Sequence, residues 1–308
     1  PVHVVLVPVR YNGDGSGRLP DTSDTQIQRY RDGLFSQYPT RDIEIEVRSP
    51  MDVNRVISPF GQGWGETLEQ LYYARDSANA GFEEYWYGIF APASSFGEFC
   101  SSGCVAGLSS LASSPNDSWA RVSIGVGFSG DDAVGTMVHE IGHAHGREHA
   151  PCGVNDAGPF PNPGGGLGVQ GYDLVNAQLK STSSFTDFMG YCDPTWVSDF
   201  TFDALFTRIA AVNANAAVQT PAGFRSRWAA VVTDGTGKSF RGTTVSVDLP
   251  PSGRPVALEL LDADGRILRT VTGSSHPYSH GDGARVMFPE PDSEVRAVRI
   301  VGGPSIPW

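Results

Sequence analysis

Four of the chain's seven histidines fall between positions 139 and 149, inside GDDAVGTMVHEIGHAHGREHAPCG, and that crowding constrains the fold more than any other feature. The run has helical periodicity: Val134, Met137, Val138 and Ile141 make an apolar side, and Ser129 or Asp131 stands where a cap would. Residues four apart share one face of a helix, so His139 and His143 can direct two imidazoles at one ion. Glu140, beside the first of them, projects next to such an ion instead of onto it, where a carboxylate can take a proton from water. Two imidazoles leave a zinc site incomplete, because such sites usually have three protein ligands and one open position. A glutamate on a following helix is one source of the third, but after Glu148 the next glutamate is Glu259, among strand-like segments. Asp156, Asp173 and Asp187 could serve as an aspartate variant. His149 is the simpler choice, since Gly146 can take the positive φ that ends a helix and turns the chain back.

His139, Glu140, His143, Gly146 and His149 complete the spacing H-E-x-x-H-x-x-G-x-x-H, and here the sequence resembles the metzincin metallopeptidases. Five fixed positions on an amphipathic helix are far more specific than a bare H-E-x-x-H. The resemblance covers about residues 1 to 213 and implies Zn2+ as cofactor, His139, His143 and His149 as its ligands, and Glu140 as general base. It also implies a Met-turn under the metal, for which TDFMGYC (186 to 192) supplies Met189. Tyr191, two residues on, is similar to the tyrosine that approaches the zinc in astacins and serralysins. In that role it is a fifth ligand or a donor to the developing oxyanion; a buried aromatic under the cleft is the alternative. Ala150, after the third histidine, departs from the better-known families and leaves the subfamily open, while Cys152 with FMGYC is similar to pappalysin-like and related bacterial proteases.

The implied activity is endopeptidase cleavage of a protein or peptide substrate that adds as an extra strand along a sheet edge near residues 103 to 111. Two rival functions stand beside it: a zinc-containing binding or adhesion protein without proteolysis, and a hydrolase of glycosylated or cell-wall peptides. His145, two positions from His143, faces away from the ion, in a surface or supporting role. His3, His276 and His280 are scattered, and no spacing joins them to the site. Asp156 and the glycines after it could help bind calcium, but no recognised ligand spacing supports this. Asp187 and Trp196 read as turn and packing residues.

Four cysteines allow three pairings. Cys100 with Cys104 and Cys152 with Cys192 are expected, the second pair tying the segment after His149 to the one after Met189. Their spacing matches no compact zinc pattern, so disulfides and a secreted, extracellular setting follow.

The fold class expected is α+β: a metzincin-type catalytic domain over 1–217, then a small all-β sandwich over 222–308. Strands are expected at 2–9, 42–49, 84–91 and 119–127, and helices at 22–38, 67–79, near 172–180 and at 199–213. The last helix should bury Phe202, Leu205, Phe206, Ile209 and Val212. Segment 92–118 reads as a loop with at most one short edge strand, 151–171 as a Pro- and Gly-rich loop, and 213–223 as a linker. A hairpin is expected at Asp264-Gly265. The net charge of -12, with lysine only at 180 and 238, excludes a nucleic-acid partner. No apolar run is long enough for a membrane span, and a monomer is expected. The chain opens directly on its first strand, so a mature or shortened form is expected.

Overall fold

The computed structural model describes residues 1–216 and 225–308. Val2–Tyr11 forms β1, an apolar run buried on both faces in the middle of a mostly parallel sheet, which is why it lacks polar alternation. After it come α1 (Asp24–Gln37), β2 (Ile43–Val47), β3 (Met51–Val53), α2 (Trp64–Ser77), β4 (Glu84–Phe90), the single-turn α3 (Phe96–Phe99), β5 (Gly107–Ser109) and β6 (Val122–Val126). The sheet order is β2-β1-β4-β6-β5, with β3 paired to the end of β1; every pair is parallel except that β5 runs antiparallel to β6 at the edge. The loop predicted over 92–118 thus carries one short edge strand.

β6 leads through Gly127 to Gly130 into α4 (Asp131–Ala144), which lays Ala133, Met137, Ile141 and Ala144 on the sheet. Its cap is Gly130, with no side chain bonded to the helix start. Neither expected cap serves, because Ser129 donates to Asp21 at 2.6 Å and Asp131, already helical, pairs with Arg29 at 3.0 Å.

The proposed helix near 172–180 is instead a hairpin of β7 (Gly171–Asp173) and β8 (Gln178–Lys180). The Asp173 carboxylate accepts from the N–H groups of Val175 and Asn176, and Ala177 adopts a φ of 53°, so turn chemistry overrides helical propensity. β9 (Thr186–Asp187), β10 (Thr195–Trp196) and α5 (Asp199–Ala216) follow. Of the five apolar residues assigned to the buried side of α5, Leu205, Ile209 and Val212 are buried, but Phe202 and Phe206 are 41% and 60% exposed. The first residues of the expected linker continue α5; its remainder, and the expected domain edges at 217 and 222, lie outside the described residues.

From Ser226 the chain is all β: β11 (Ser226–Thr233), β12 (Ser239–Arg241), β13 (Val245–Val247), β14 (Arg254–Leu261), β15 (Ile267–Pro277), β16 (Ala284–Pro289), β17 (Ala297–Ile300) and β18 (Ser305–Pro307). The hairpin at Asp264-Gly265 joins β14 to β15 as predicted. The expected two-sheet sandwich is instead one antiparallel sheet of eight strands, in the order β12-β11-β16-β15-β14-β17-β18, with β13 on β11. The long β15 pairs with β14 through Ile267 to Ser275 and with β16 through Ser274 to Pro277, so one strand links both halves. The sheet curls until Arg241 lies over the Trp308 ring at 4.4 Å.

Alternation along β11 divides the core. Ala229 and Val231 face the inside of the curl, while Ala230 and Val232 join Leu68, Leu71, Trp119 and Met287 in a cluster shared with the first sheet's helices. At that junction Glu69 of α2 pairs with the buried Arg285 of β16 and accepts from Thr243 N at 2.6 Å. No helix among the described residues is long and apolar enough to cross a membrane.

Candidate metal centre

The last turns of α4 present His139 and His143 on one face, their ring centroids 4.6 Å apart. Gly146 then takes a φ of 82°, and a Cβ there would lie 2.7 Å from Ala112 O, so the turn accepts only glycine. The reversal returns His149 to within 4.7 Å of His143 and 5.3 Å of His139, centroid to centroid. Each ring is tied at Nδ1: His139 to Phe188 O at 2.8 Å, His143 to Arg147 O at 2.6 Å and His149 to Asp156 Oδ1 at 2.9 Å. Carbonyl and carboxylate oxygens only accept, so the ring hydrogens sit on Nδ1 and the Nε2 lone pairs face the centre.

That tautomer gives the fit to a metal. The Nε2 atoms of His139 and His143 approach to 3.0 Å with no hydrogen between them, a contact that a shared cation satisfies. Burial holds all three imidazoles below their ordinary range, His139 down to about 4, which keeps them neutral and able to ligate.

Glu140 is buried with its carboxylate beside the histidines. Gly107 of β5 makes room for it, since a Cβ at that position would lie 2.4 Å from Glu140 Cγ. Both carboxylate oxygens have partners from the β15–β16 connection: Ser279 donates to Oε2 at 3.2 Å, and His280 Nε2 lies 2.8 Å from Oε1.

His280 is the residue the sequence reading missed, and setting it apart from the site is overturned. One nitrogen of His280 and one each of His139, His143 and His149 all lie within 4.8 Å of one another, a set able to hold a metal ion. A ligand delivered from a different sheet has no spacing signature; the polar loop YSHGDG between two strand-like runs was the single cue.

Met189 is fully buried under α4, and a Cβ on Gly142 would reach 2.5 Å from its sulfur. Asp187, beyond the turn role expected of it, anchors this loop by accepting from Met189 N and Ser198 N at 2.8 and 2.9 Å. Ala150 N donates to Met189 O at 3.0 Å and Tyr191 N to Cys152 O at 2.8 Å. Both expected disulfides are present, Cys100–Cys104 and Cys152–Cys192, the latter fastening this junction. Tyr191 is half exposed overall, with its hydroxyl turned inward, 3.0 Å from His149 Nε2 and 2.8 Å from His280 Nδ1. Burial and the Glu140 charge raise its pKa well above the usual phenol range. His145 does face away, but a surface position is excluded: it is buried, stacked on Tyr85 at 4.0 Å and bonded to Ile141 O. Asp156 orients His149, a role with no signature in its spacing.

Fold and site together define a mixed α+β protein with a buried centre of histidines able to hold a metal. No family model and no curated protein matches the chain. Among solved structures it is similar to metalloproteinase-II from Bacteroides fragilis, at 14% identity and a TM-score of 0.35, over 67% of this chain and 52% of that one. It is also similar to a structure of a chaperone–substrate complex, at 12% identity and a TM-score of 0.36, over 71% of this chain and 35% of that one. Likenesses this distant decide neither fold nor function, and the chain spans about half the length of the first of them.

Proposed function

We propose that this chain is a secreted, zinc-dependent endopeptidase of the metzincin type, with the catalytic machinery within 1–217 and the β unit over 222–308. The observation that carries this reading is the convergence of three neutral Nε2 donors, from His139, His143 and His149, beside the Glu140 carboxylate. Zinc held by such a donor set supplies a Lewis acid that polarises a carbonyl and makes water more acidic. Glu140 accepts a proton from the attacking water and passes it to the leaving amine, which its place next to His139 favours. Tyr191, its hydroxyl turned toward the histidines, is placed to donate a hydrogen to the developing oxyanion. The substrate lies extended along the β5 edge, the strand antiparallel to β6, and takes the outer main-chain groups there once the β15–β16 connection leaves them. Two disulfides support an extracellular setting.

One observation favours a rival reading, a zinc protein without proteolysis: with His280 the cluster has four histidines, enough to close a structural site. Hydrolysis that depends on Glu140 separates the two readings, because in a closed structural site this carboxylate would only orient His280. In the Glu140→Ala variant, casein hydrolysis should disappear while zinc content, read by elemental mass spectrometry, stays that of the parent. Retained hydrolysis overturns the base assignment.

A further inference from the structure

We infer that Pro277–His280 is an internal inhibitor of the centre proposed above, pairing with Ser109 to Leu111 where β5 ends, across the path of an extended substrate, and presenting His280 to the metal as a fourth ligand. The inference rests on the peptidase reading and adds a resting state to it. Ser279 N donates to Ser109 O at 2.9 Å, Ser109 N donates to Ser279 Oγ at 2.8 Å, and Leu111 N donates to Pro277 O at 3.5 Å. Ser110 and Tyr278 face each other as an antiparallel bridge. Ser109 N and O are outer main-chain groups of β5, and Ser110 and Leu111 continue that edge, so an extended peptide and this segment cannot use it at once.

The side chains complete the block. Ser279 and His280 each occupy one oxygen of Glu140, so a water approaching the base competes with two protein partners already in place. The His280 ring stands 5.7, 5.5 and 5.0 Å from those of His139, His143 and His149, centroid to centroid. What meets the histidines is therefore an imidazole and not a peptide carbonyl, so the segment can ligate without being cut. It also crosses the cleft: Tyr278 and Gly281 line both a cavity of about 410 Å³ beside His143 and His149 and one of about 140 Å³ beside Trp64 and Leu108. Tyr278 and Ser279 are buried while Gly281 and Asp282 are exposed, so the segment is anchored at its start and open at its tip, where displacement or a cut can begin.

The test uses the full chain loaded with Co2+, whose absorption spectrum reports ligand number and type, and three proteins: the parent, His280→Ala and His280→Cys. His280→Ala should change the cobalt spectrum and let acetohydroxamate, a small metal chelator, bind where the parent resists it. With zinc, if the parent is open about a tenth of the time, His280→Ala should raise kcat/KM for a short peptide about tenfold. His280→Cys should stay closed and show an intense thiolate-to-cobalt band, which a misfolded protein would lack. Identical cobalt spectra for the parent and His280→Ala, with equal acetohydroxamate binding, overturn the inference. Should the spectra and chelator access change as expected while no protein cleaves any peptide of a library, His280 as fourth ligand stands and the peptidase reading falls.

Discussion

Gly107 shows how closely the proposed base is fitted to the edge strand. A Cβ there would lie 2.3 Å from Glu140 Oε1, 2.4 Å from Cγ and 2.5 Å from Cδ. Because Cγ is involved, swinging the carboxylate aside does not relieve the clash, and β5 or the Glu140 side chain must shift as a whole. Displacing a reacting group by about 1 Å costs on the order of 100-fold in rate. Gly107→Ala should therefore lower kcat by that order with zinc content unchanged, and parental kcat would show that the carboxylate needs no such fit. His276 offers a separate measurement. Burial, and then the Arg285 charge, push its imidazole from 6.5 to about 4, and its ring meets Trp119 edge-on at 4.7 Å. As pH falls below 6.5 the unfolded chain takes up a proton that the folded chain refuses, so this contribution to stability is lost progressively toward pH 4. Urea unfolding at pH 7 and pH 4.5 should show a fall in stability that is smaller by roughly 2 kcal/mol in His276→Gln than in the parent. At this scale the sequence revealed what a helix fixes: His139, Glu140, His143 and the glycine-turned His149 stand at set intervals on one chain segment. It concealed Asp156 and His280, because hydrogen-bonding partners brought in by loops, or from another sheet, have no interval to read.

Among the elements, α4, β1 and β4 were legible because their apolar patterns match their burial. The 171–180 hairpin was not: its fate depends on Asp173 bonding its own turn and on Ala177 accepting a positive φ, local chemistry that outweighs a weak helical pattern. α5 misled in another way, since Phe202 and Phe206 read as core by spacing and yet are exposed. The loop holding Met189 was legible by its methionine alone, yet what fixes it is its seam with the segment after His149. Two main-chain hydrogen bonds and the Cys152–Cys192 bridge close that seam across a sequence separation of 40. Loop-closure entropy makes a bridge of this span worth roughly 4 kcal/mol. Replacing both cysteines by serine should cost up to that amount in thermal or urea unfolding and, by loosening His149 and Tyr191 together, lower zinc affinity on the order of tenfold. Unchanged zinc affinity would mean that the hydrogen bonds alone align the third histidine.

The whole molecule is bound together through α2, and this bears on what the β unit does. Eight of this helix's fourteen residues are buried: Trp64, Leu68, Leu71 and Tyr72 pack in the shared core, while Glu69 and Arg75 are buried charges. Gly65 lies so near the β unit that a Cβ would come 3.2 Å from that of Asp234, and Asp76 accepts from Ser246 N at 2.7 Å. A helix enclosed in this way reads as only weakly amphipathic, so nothing in its pattern announced the partner. At the centre of the junction Glu69 takes Arg285, Thr243 N and Tyr278 OH, which links the pair directly to the β15–β16 connection that carries Ser279 and His280. Removing one member of a buried ion pair typically costs about 3–5 kcal/mol, whereas replacing both with apolar residues of similar volume is often neutral. Arg285→Met alone should therefore destabilise the chain by about that much in urea unfolding, and adding Glu69→Met should recover most of the loss. The same packing predicts that a chain ending at Ala216 does not fold, because α2 and the inner side of its sheet would meet water where Ala230, Val232, Val245 and Met287 now lie. Expressed alone, that piece should bind the dye ANS and lack near-ultraviolet circular dichroism. A soluble, cooperatively melting fragment would instead make the β unit an independent accessory, and the reach of His280 into the histidine cluster would then depend on a contact made after each part had folded.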